Sequence, residues 1–212
     1  KVTYADGKIS YTAEANADSR RTATVTVTLT DGDFTVTKTI SAKQKSATSL
    51  EYKLTVTPAV LNEILKVEAE KHPEATDYDF FEVDATFKAV ATDGSGKTVD
   101  VEMHANKMRV TSLTEGSFCM KDKFYCKSSI GFIEKVVITS DRPVTTGNWA
   151  DLAVKFSKDG SAWNNLASSA ITVDGKVSTV VNTDEENTYF SIVGSTYSVL
   201  YVNSFEVTFI GE

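Results

Sequence analysis

His72 and His104 are the only imidazoles in the 212-residue chain, and the spacing of neither suits catalysis or metal binding. His72 precedes Pro73 at the predicted end of a helix, where it can offset the helix dipole. His104 sits in Met103-His104-Ala105-Asn106 at a predicted strand end. Neither has the partner four residues away that a zinc-binding helix needs, so both read as structural. Cys119 and Cys126 are the only thiols. In an oxidising compartment they could close a small hairpin; otherwise they are two free thiols in a strand–turn–strand. Without a nearby His or further Cys they cannot complete a tetrahedral site, so no metal or cofactor is expected. Gly94-Ser95-Gly96-Lys97 has the composition of a phosphate loop but joins two predicted strands, with no helix N-terminus to hold an anion. It reads as a turn. Neither a Gly-x-Ser-x-Gly elbow nor a dinucleotide fingerprint occurs.

Paired carboxylates could hydrolyse glycosides. Asp77, Asp79, Glu82 and Asp84 gather around Tyr78, Phe80 and Phe81, and Asp184-Glu185-Glu186 forms a second acidic run. Such pairs arise by chance in a chain with 29 acids. Both groups read as solvated loops, with irregular calcium binding as the second reading, because Asp77-x-Asp79 lacks the glycine and closing Glu of an EF-hand. The expectation is a protein that is not an enzyme.

The aromatic residues carry more information. Sugar rings present apolar C–H faces, for which exposed Trp and Tyr are natural platforms while Asn and Asp satisfy hydroxyls. Gly147-Asn148-Trp149 and Ser161-Ala162-Trp163-Asn164-Asn165 both set Trp among polar loop residues, with Tyr125, Tyr189, Tyr197 and Tyr201 as further aromatics. The candidate ligand-binding residues are Trp149, Asn148, Tyr125 and Tyr189. The competing reading is that a Trp in a β-sandwich packs in the core.

Strands must position these residues. Thr22 to Thr30 alternates with Val25, Val27 and Leu29 on one face. Asp31-Gly32-Asp33 suits a hairpin turn, and Phe34, Val36 and Ile40 return to the same core. With Val2–Tyr4 and Lys8–Glu14 this makes about four strands, fewer than the roughly seven of an immunoglobulin-like domain. The segment is therefore expected to be the C-terminal half of a domain whose beginning is missing, or to borrow packing from its neighbour. Lys43 to Ser49 is the linker candidate. Beyond the strand Leu50–Val56, Thr57 caps and Pro58 opens a short helix carrying Val60, Leu61, Ile64, Leu65 and Val67, which His72-Pro73 ends. Strands follow at Phe81–Thr92, Thr98–Met103, Met108–Leu113, Ser117–Met120, Lys123–Lys127, Phe132–Thr139, Ala150–Ser157, Ala170–Val173, Lys176–Val181, Tyr189–Val193 and Tyr201–Ile210, with hairpins at Asp159-Gly160 and Asp174-Gly175. This density implies a two-sheet sandwich of jelly-roll type. The expected fold is all-β: an immunoglobulin-like segment at 1–47, then a jelly-roll-type sandwich at 50–212 with one short helix.

A net charge of −7 and a single Arg20-Arg21 doublet argue against nucleic acid. No stretch approaches the roughly 20 apolar residues that cross a bilayer. The chain begins at Lys1 rather than Met, and is expected to be a trimmed piece from which any export signal or lipid anchor has been removed.

Gly7 to Asn16, Ser19 to Val27 and the ending Thr39-Ile40-Ser41-Ala42-Lys43-Gln44 resemble the last strands of a BACON domain, an immunoglobulin-like module of Bacteroidetes surface proteins. Phe132 to Thr139, Leu152 to Trp163, Tyr189 to Ile192 and Tyr201 to Phe209 are similar to the sandwich domain of Bacteroidetes outer-surface lipoproteins. The Ser157-x-Asp159-Gly160-x-x-Trp163 stretch is also similar to discoidin, galactose-binding-like jelly rolls. The resemblance implies Asp-Gly as a turn with Trp163 packed near it, which leaves Trp149 as the exposed candidate. It further implies export to the outer-membrane cell surface of a gut-type Bacteroidetes, membrane attachment only through a lipid anchor absent from this chain, and binding of a glycan or of a host or dietary polysaccharide. The alternative is a structural spacer or cell-adhesion module that binds other surface proteins.

Overall fold

In a computed structural model, residues 2–5, 8–16, 21–46, 49–60, 70–71, 81–110, 118–143, 152–165, 171–194 and 201–211 are described. They form fifteen strands, and residues 58–60 are helical, with the Thr57 hydroxyl accepting the Val60 amide at 3.4 Å. The rest of the expected helix, and its His72-Pro73 stop, lie outside the described residues. No described helix is long and apolar enough to cross a membrane. The chain divides into two compact units, Lys1–Leu50 and Glu51–Gly211.

In the first unit β1 (Val2–Ala5) pairs with β2 (Lys8–Tyr11), and β3 (Arg21–Asp31) pairs with β4 (Phe34–Gln44) from Arg21 opposite Gln44 to Asp31 opposite Phe34. Gly32 takes the positive φ of 57° that this two-residue turn requires. At the open end, the Arg21 guanidinium donates to Gln44 Oε1 at 2.8 Å and to the Glu14 carbonyl at 3.0 Å, and the Gln44 amide donates to that same carbonyl. One face of the hairpin is threonine, with Thr28 and Thr37 hydroxyls 3.4 Å apart. The other sets Val25 opposite Ile40 and Leu29 opposite Val36. The expectation that Phe34, Val36 and Ile40 enter a core is corrected: all three are exposed, Phe34 by 70%. A two-stranded ribbon by itself gives its apolar face little burial.

The second unit is a single curled eleven-stranded sheet whose described pairings are antiparallel. In chain order its strands are β5 (Leu50–Val56), β6 (Phe81–Asp93), β7 (Thr98–Val110), β8 (Phe118–Cys126), β9 (Phe132–Ser140), β10 (Leu152–Ser157), β11 (Asn164–Asn165), β12 (Ile171–Asp174), β13 (Val177–Val181), β14 (Tyr189–Gly194) and β15 (Tyr201–Gly211). Laterally they run β11-β10-β14-β8-β7-β6-β5-β15-β9-β13-β12, and β8 also pairs with β15.

That extra pairing explains the curl. β8 begins against β15, with Phe118 opposite Val202, and continues against β14, with Tyr125 opposite Ser191. Between these halves Asn106 faces Lys123 while Met108 faces Met120, so β8 carries an extra residue around Lys121–Asp122. A bulge of this kind bends a strand, and here it turns β8 from one neighbour to the next.

β8 is thus one strand where the sequence suggested a hairpin, and the disulfide expectation is corrected with it. Cys119 and Cys126 stand roughly 20 Å apart along one extended strand, at about 3.3 Å per residue, far beyond the reach of a disulfide. Cys126 is a free, buried thiol. β7 is likewise one strand across the predicted break after Met103.

Alternation places one side of every long strand inside. Tyr52, Leu54 and Val56 of β5 are buried while Glu51, Lys53 and Thr55 are exposed. Phe124 lies at the centre, edge-on to Phe205 with centroids 4.6 Å apart and tilted against Phe87 at 5.7 Å; Tyr52 stacks on Phe209 at 5.4 Å. Phe156 and Phe190 are fully buried in the same core.

Candidate functional site

With Phe124, Cys126, Met103, Ala105, Val154, Phe190 and Ile192 facing inward, the intervening residues face out. The registers line them up in rows across the strands. One row reads Lys155 of β10, Ser191 of β14, Tyr125 of β8, His104 of β7 and Thr86 of β6. The next reads Ala153, Val193, Lys123, Asn106 and Asp84. Directly opposed side chains on one face lie about 5 Å apart and interact.

Trp163 is delivered onto this face by the loop between β10 and β11. The loop is pinned by its own side chains. Asp159 Oδ1 accepts the amides of Ser161 at 2.8 Å and Ala162 at 2.9 Å, and the Ser157 hydroxyl at 3.0 Å; Ser157 Oγ in turn accepts the Gly160 amide at 3.0 Å. Those amide donors, Ala162 first, hold the Asp159 carboxyl well below the usual carboxylate range. Gly160, at φ 74°, rests on the Tyr189 ring, where a Cβ would come within 3.1 Å of Cδ1. Lys158 ties the loop to Asp184 at 3.5 Å and to Glu186. Asn182 donates to the carbonyls of Ile133 at 2.8 Å and Asp184 at 2.9 Å, fixing the turn after β13 that carries those acids.

The resulting cluster is continuous. Half-buried Trp163 lies edge-on to half-buried Tyr125, with ring centroids 6.3 Å apart and planes at 71°. Lys123 Nζ sits over both rings, 4.5 Å from the Tyr125 centroid and 4.6 Å from that of Trp163, within cation–π range. On the other side, the His104 ring is 5.2 Å from Tyr125. His104 Nδ1 is 2.9 Å from the Thr86 hydroxyl, and Nε2 is 3.1 Å from Asp84 Oδ1.

Three kinds of chemistry follow from these groups. The half-exposed aromatic rings can stack against an apolar ligand face. Lys123 supplies a fixed positive charge there. The Thr86–His104–Asp84 chain has the residue types of a hydroxyl, base and acid, but Thr86 lies within a long extended strand rather than on a tight turn that would raise a nucleophile over converging amides. Described acids on this face have basic side chains as partners: Asp84 meets His104, Asp100 meets Lys88 at 3.4 Å, and Glu102 meets Lys127 at 2.9 Å. They do not form a facing carboxylate pair of the kind that cleaves glycosides. No group of His, Cys, Asp and Glu suited to a metal occurs among the described residues.

Of the sequence-predicted residues, Tyr125 lies at the centre of the cluster. Tyr189 lies under Gly160 and supports the loop bearing Trp163. Asn148 and Trp149 lie outside the described residues, as do Asp77 and Asp79. Asp84, expected in a loop, is in strand β6, and His104, expected at a strand end, is inside β7. Lys123, Lys155 and the role of Trp163 escaped sequence reading, because only the cross-strand register brings them to Tyr125. Comparison with family models and with curated proteins finds no match for the chain.

Proposed function

We propose that this chain is a non-catalytic carbohydrate-binding protein whose ligand stacks on the Tyr125–Trp163 platform. The observation that carries the reading is the edge-on pair of half-buried rings, 6.3 Å apart, with Tyr125 set by strand β8 and Trp163 by a loop that Asp159 pins through its own hydrogen bonds. A platform held in place beforehand loses little entropy on binding, and flanking polar groups such as His104 and Asp84 can meet sugar hydroxyls. The resemblance of Leu152–Trp163 to galactose-binding-like jelly rolls supports the same reading. It also supports an immunoglobulin-like BACON segment at 1–47, a jelly-roll arrangement of the second unit, and a lipid-anchored precursor at a Bacteroidetes cell surface.

The test is a glycan array probed with the folded protein and with Trp163→Ala and Trp149→Ala variants, with Trp fluorescence followed on every hit. Binding lost in Trp163→Ala while circular dichroism is unchanged supports the platform. Loss only in Trp149→Ala moves the site to that loop. A blank array from folded protein moves the assignment to a spacer or adhesion module, the reading favoured by the exposed Phe34, Val36 and Ile40 of the β3–β4 hairpin.

A further inference from the structure

The outer face around Tyr125 is laid out in two parallel rows, each taking one residue per strand. The ring row runs from Trp163 on its loop to Tyr125 of β8, His104 of β7 and Thr86 of β6. Its successive ring centroids are 6.3 Å and 5.2 Å apart. The row beside it is polar: Lys123 of β8, Asn106 of β7 and Asp84 of β6. Neighbouring strands lie about 4.8 Å apart, so both rows repeat at roughly the length of one pyranose unit.

The two ends of these rows differ. At the loop end, Lys123 Nζ reaches both the Tyr125 and the Trp163 face, at 4.5 Å and 4.6 Å, so the two faces look into one common corner. A sugar unit entering that corner takes the ammonium's place over the rings, and the flexible lysine stem lets the ammonium turn toward the unit's hydroxyls. At the other end, Asp84 uses one carboxylate oxygen on His104 Nε2 at 3.1 Å. Its side chain is 71% exposed, and its second oxygen has no partner among the described residues. His104 is fixed from both sides, by Asp84 and by the Thr86 hydroxyl at 2.9 Å. The carboxylate is therefore an acceptor held two strand spacings, about 10 Å, from the strand that carries Tyr125.

We infer that this face binds an internal stretch of an extended polysaccharide, about three sugar units crossing the strands from the Trp163–Tyr125 corner, over His104, to Asp84. This inference rests on the sugar-binding reading and names the ligand class: a chain, rather than a single sugar or a chain end. A monosaccharide can fill the corner but leaves the Asp84 carboxylate out of reach. Thr86 and Asp84, the last residues of the two rows, are both exposed, so a longer chain can run on past β6.

The experiment is a Trp fluorescence titration of the full chain with two chain-length series, galactose to β-1,4-galactohexaose and glucose to maltohexaose. In the series that binds, affinity should rise at least about tenfold from monosaccharide to trisaccharide and change by less than about threefold from there to the hexasaccharide. Reducing the terminal unit of the hexasaccharide to its alditol should leave the affinity unchanged. Asp84→Ala should weaken the trisaccharide by about tenfold, the loss of a hydrogen bond to a charged group, and spare the monosaccharide. A monosaccharide bound as tightly as the hexasaccharide overturns the inference and leaves a one-unit platform standing. A chain-length gain that Asp84→Ala and His104→Gln both leave intact also overturns it, since the added units would then lie elsewhere. Binding lost on reduction of the terminal unit overturns it too, because the site would then read a chain end. A folded protein that binds neither series overturns both readings.

Discussion

Cys126 and Phe190 are joined side chain to backbone: Cys126 Sγ accepts the Phe190 amide at 3.1 Å and lies 3.6 Å from the Phe190 carbonyl as donor. They occupy the next register position after the described β8–β14 pairs, so the thiol serves where the ladder would otherwise continue. Burial, only partly offset by the Phe190 hydrogen bond, pushes the thiol from 9.0 up to about 12. In a Cys119→Ser background Cys126 should therefore not react with Ellman's reagent until the protein unfolds. Because the folded value is raised, the native state keeps a proton that the unfolded chain loses. Its contribution is fully present below pH 9.0 and is lost as the pH rises from there to about 12, by up to about 1.4 kcal/mol per pH unit. Rapid labelling of the folded variant at neutral pH would sink this account.

Gly131 cannot be replaced. Its φ is 90°, and a Cβ there would lie 2.3 Å from the Ile210 carbonyl oxygen. The atoms it would meet, in Ile210 and Gly211, are backbone of β15, which is paired with β9, so they cannot swing aside. Gly131→Ala should cost about 2–5 kcal/mol from the left-handed backbone and the overlap together. Gly94 is the control: a Cβ there meets nothing within 4 Å and its φ is not positive. Equal denaturation midpoints for the two alanine variants would refute the clash.

Asp93 and Asp159 use one device in two different turns of the second unit. Asp93 Oδ1 accepts the Ser95 hydroxyl at 2.7 Å and the amides of Ser95 at 2.8 Å and Lys97 at 2.9 Å, and its pKa is lowered, chiefly by that hydroxyl. A depressed carboxylate stabilises the fold above its unfolded value and stops doing so as the pH falls through the folded one. Thermal stability should thus decline as the pH drops below 3.8. Asp93→Asn and Asp159→Asn should lower the neutral-pH midpoint and flatten the acid slope. Asp159→Asn should also weaken any ligand bound at Trp163; unchanged binding would show that the loop needs no carboxylate anchor.

The strand pattern was legible because burial alternates with period two: Leu50–Val56, Phe132–Ser140 and Tyr201–Gly211 stand within a residue of the positions read from sequence. Breaks inside β7 and β8 were misread because polar Asn106-Lys107 and Lys121-Asp122 look like turns, whereas tertiary pairing on both edges carries them through as bulged strand. Ser157, Asp159, Gly160 and Trp163 could be picked out together, since each has a local task in one loop. Their partner Tyr125 is 38 positions from Trp163 in sequence, and no local signal announces a register.

Thr208 and Ser191 offer a test in the stabilising direction. Each is fully buried, and neither hydroxyl has a hydrogen-bond partner among the described residues. An orphaned buried hydroxyl carries its desolvation cost with no return. Thr208→Val keeps the branched shape and removes only the polarity, so it should raise the unfolding free energy by about 1 kcal/mol. Ser191→Ala should gain less, because it also leaves a small void beside the Tyr125 row. Urea denaturation of the two variants decides the point. A Thr208→Val protein less stable than wild type would mean that the hydroxyl is satisfied in solution.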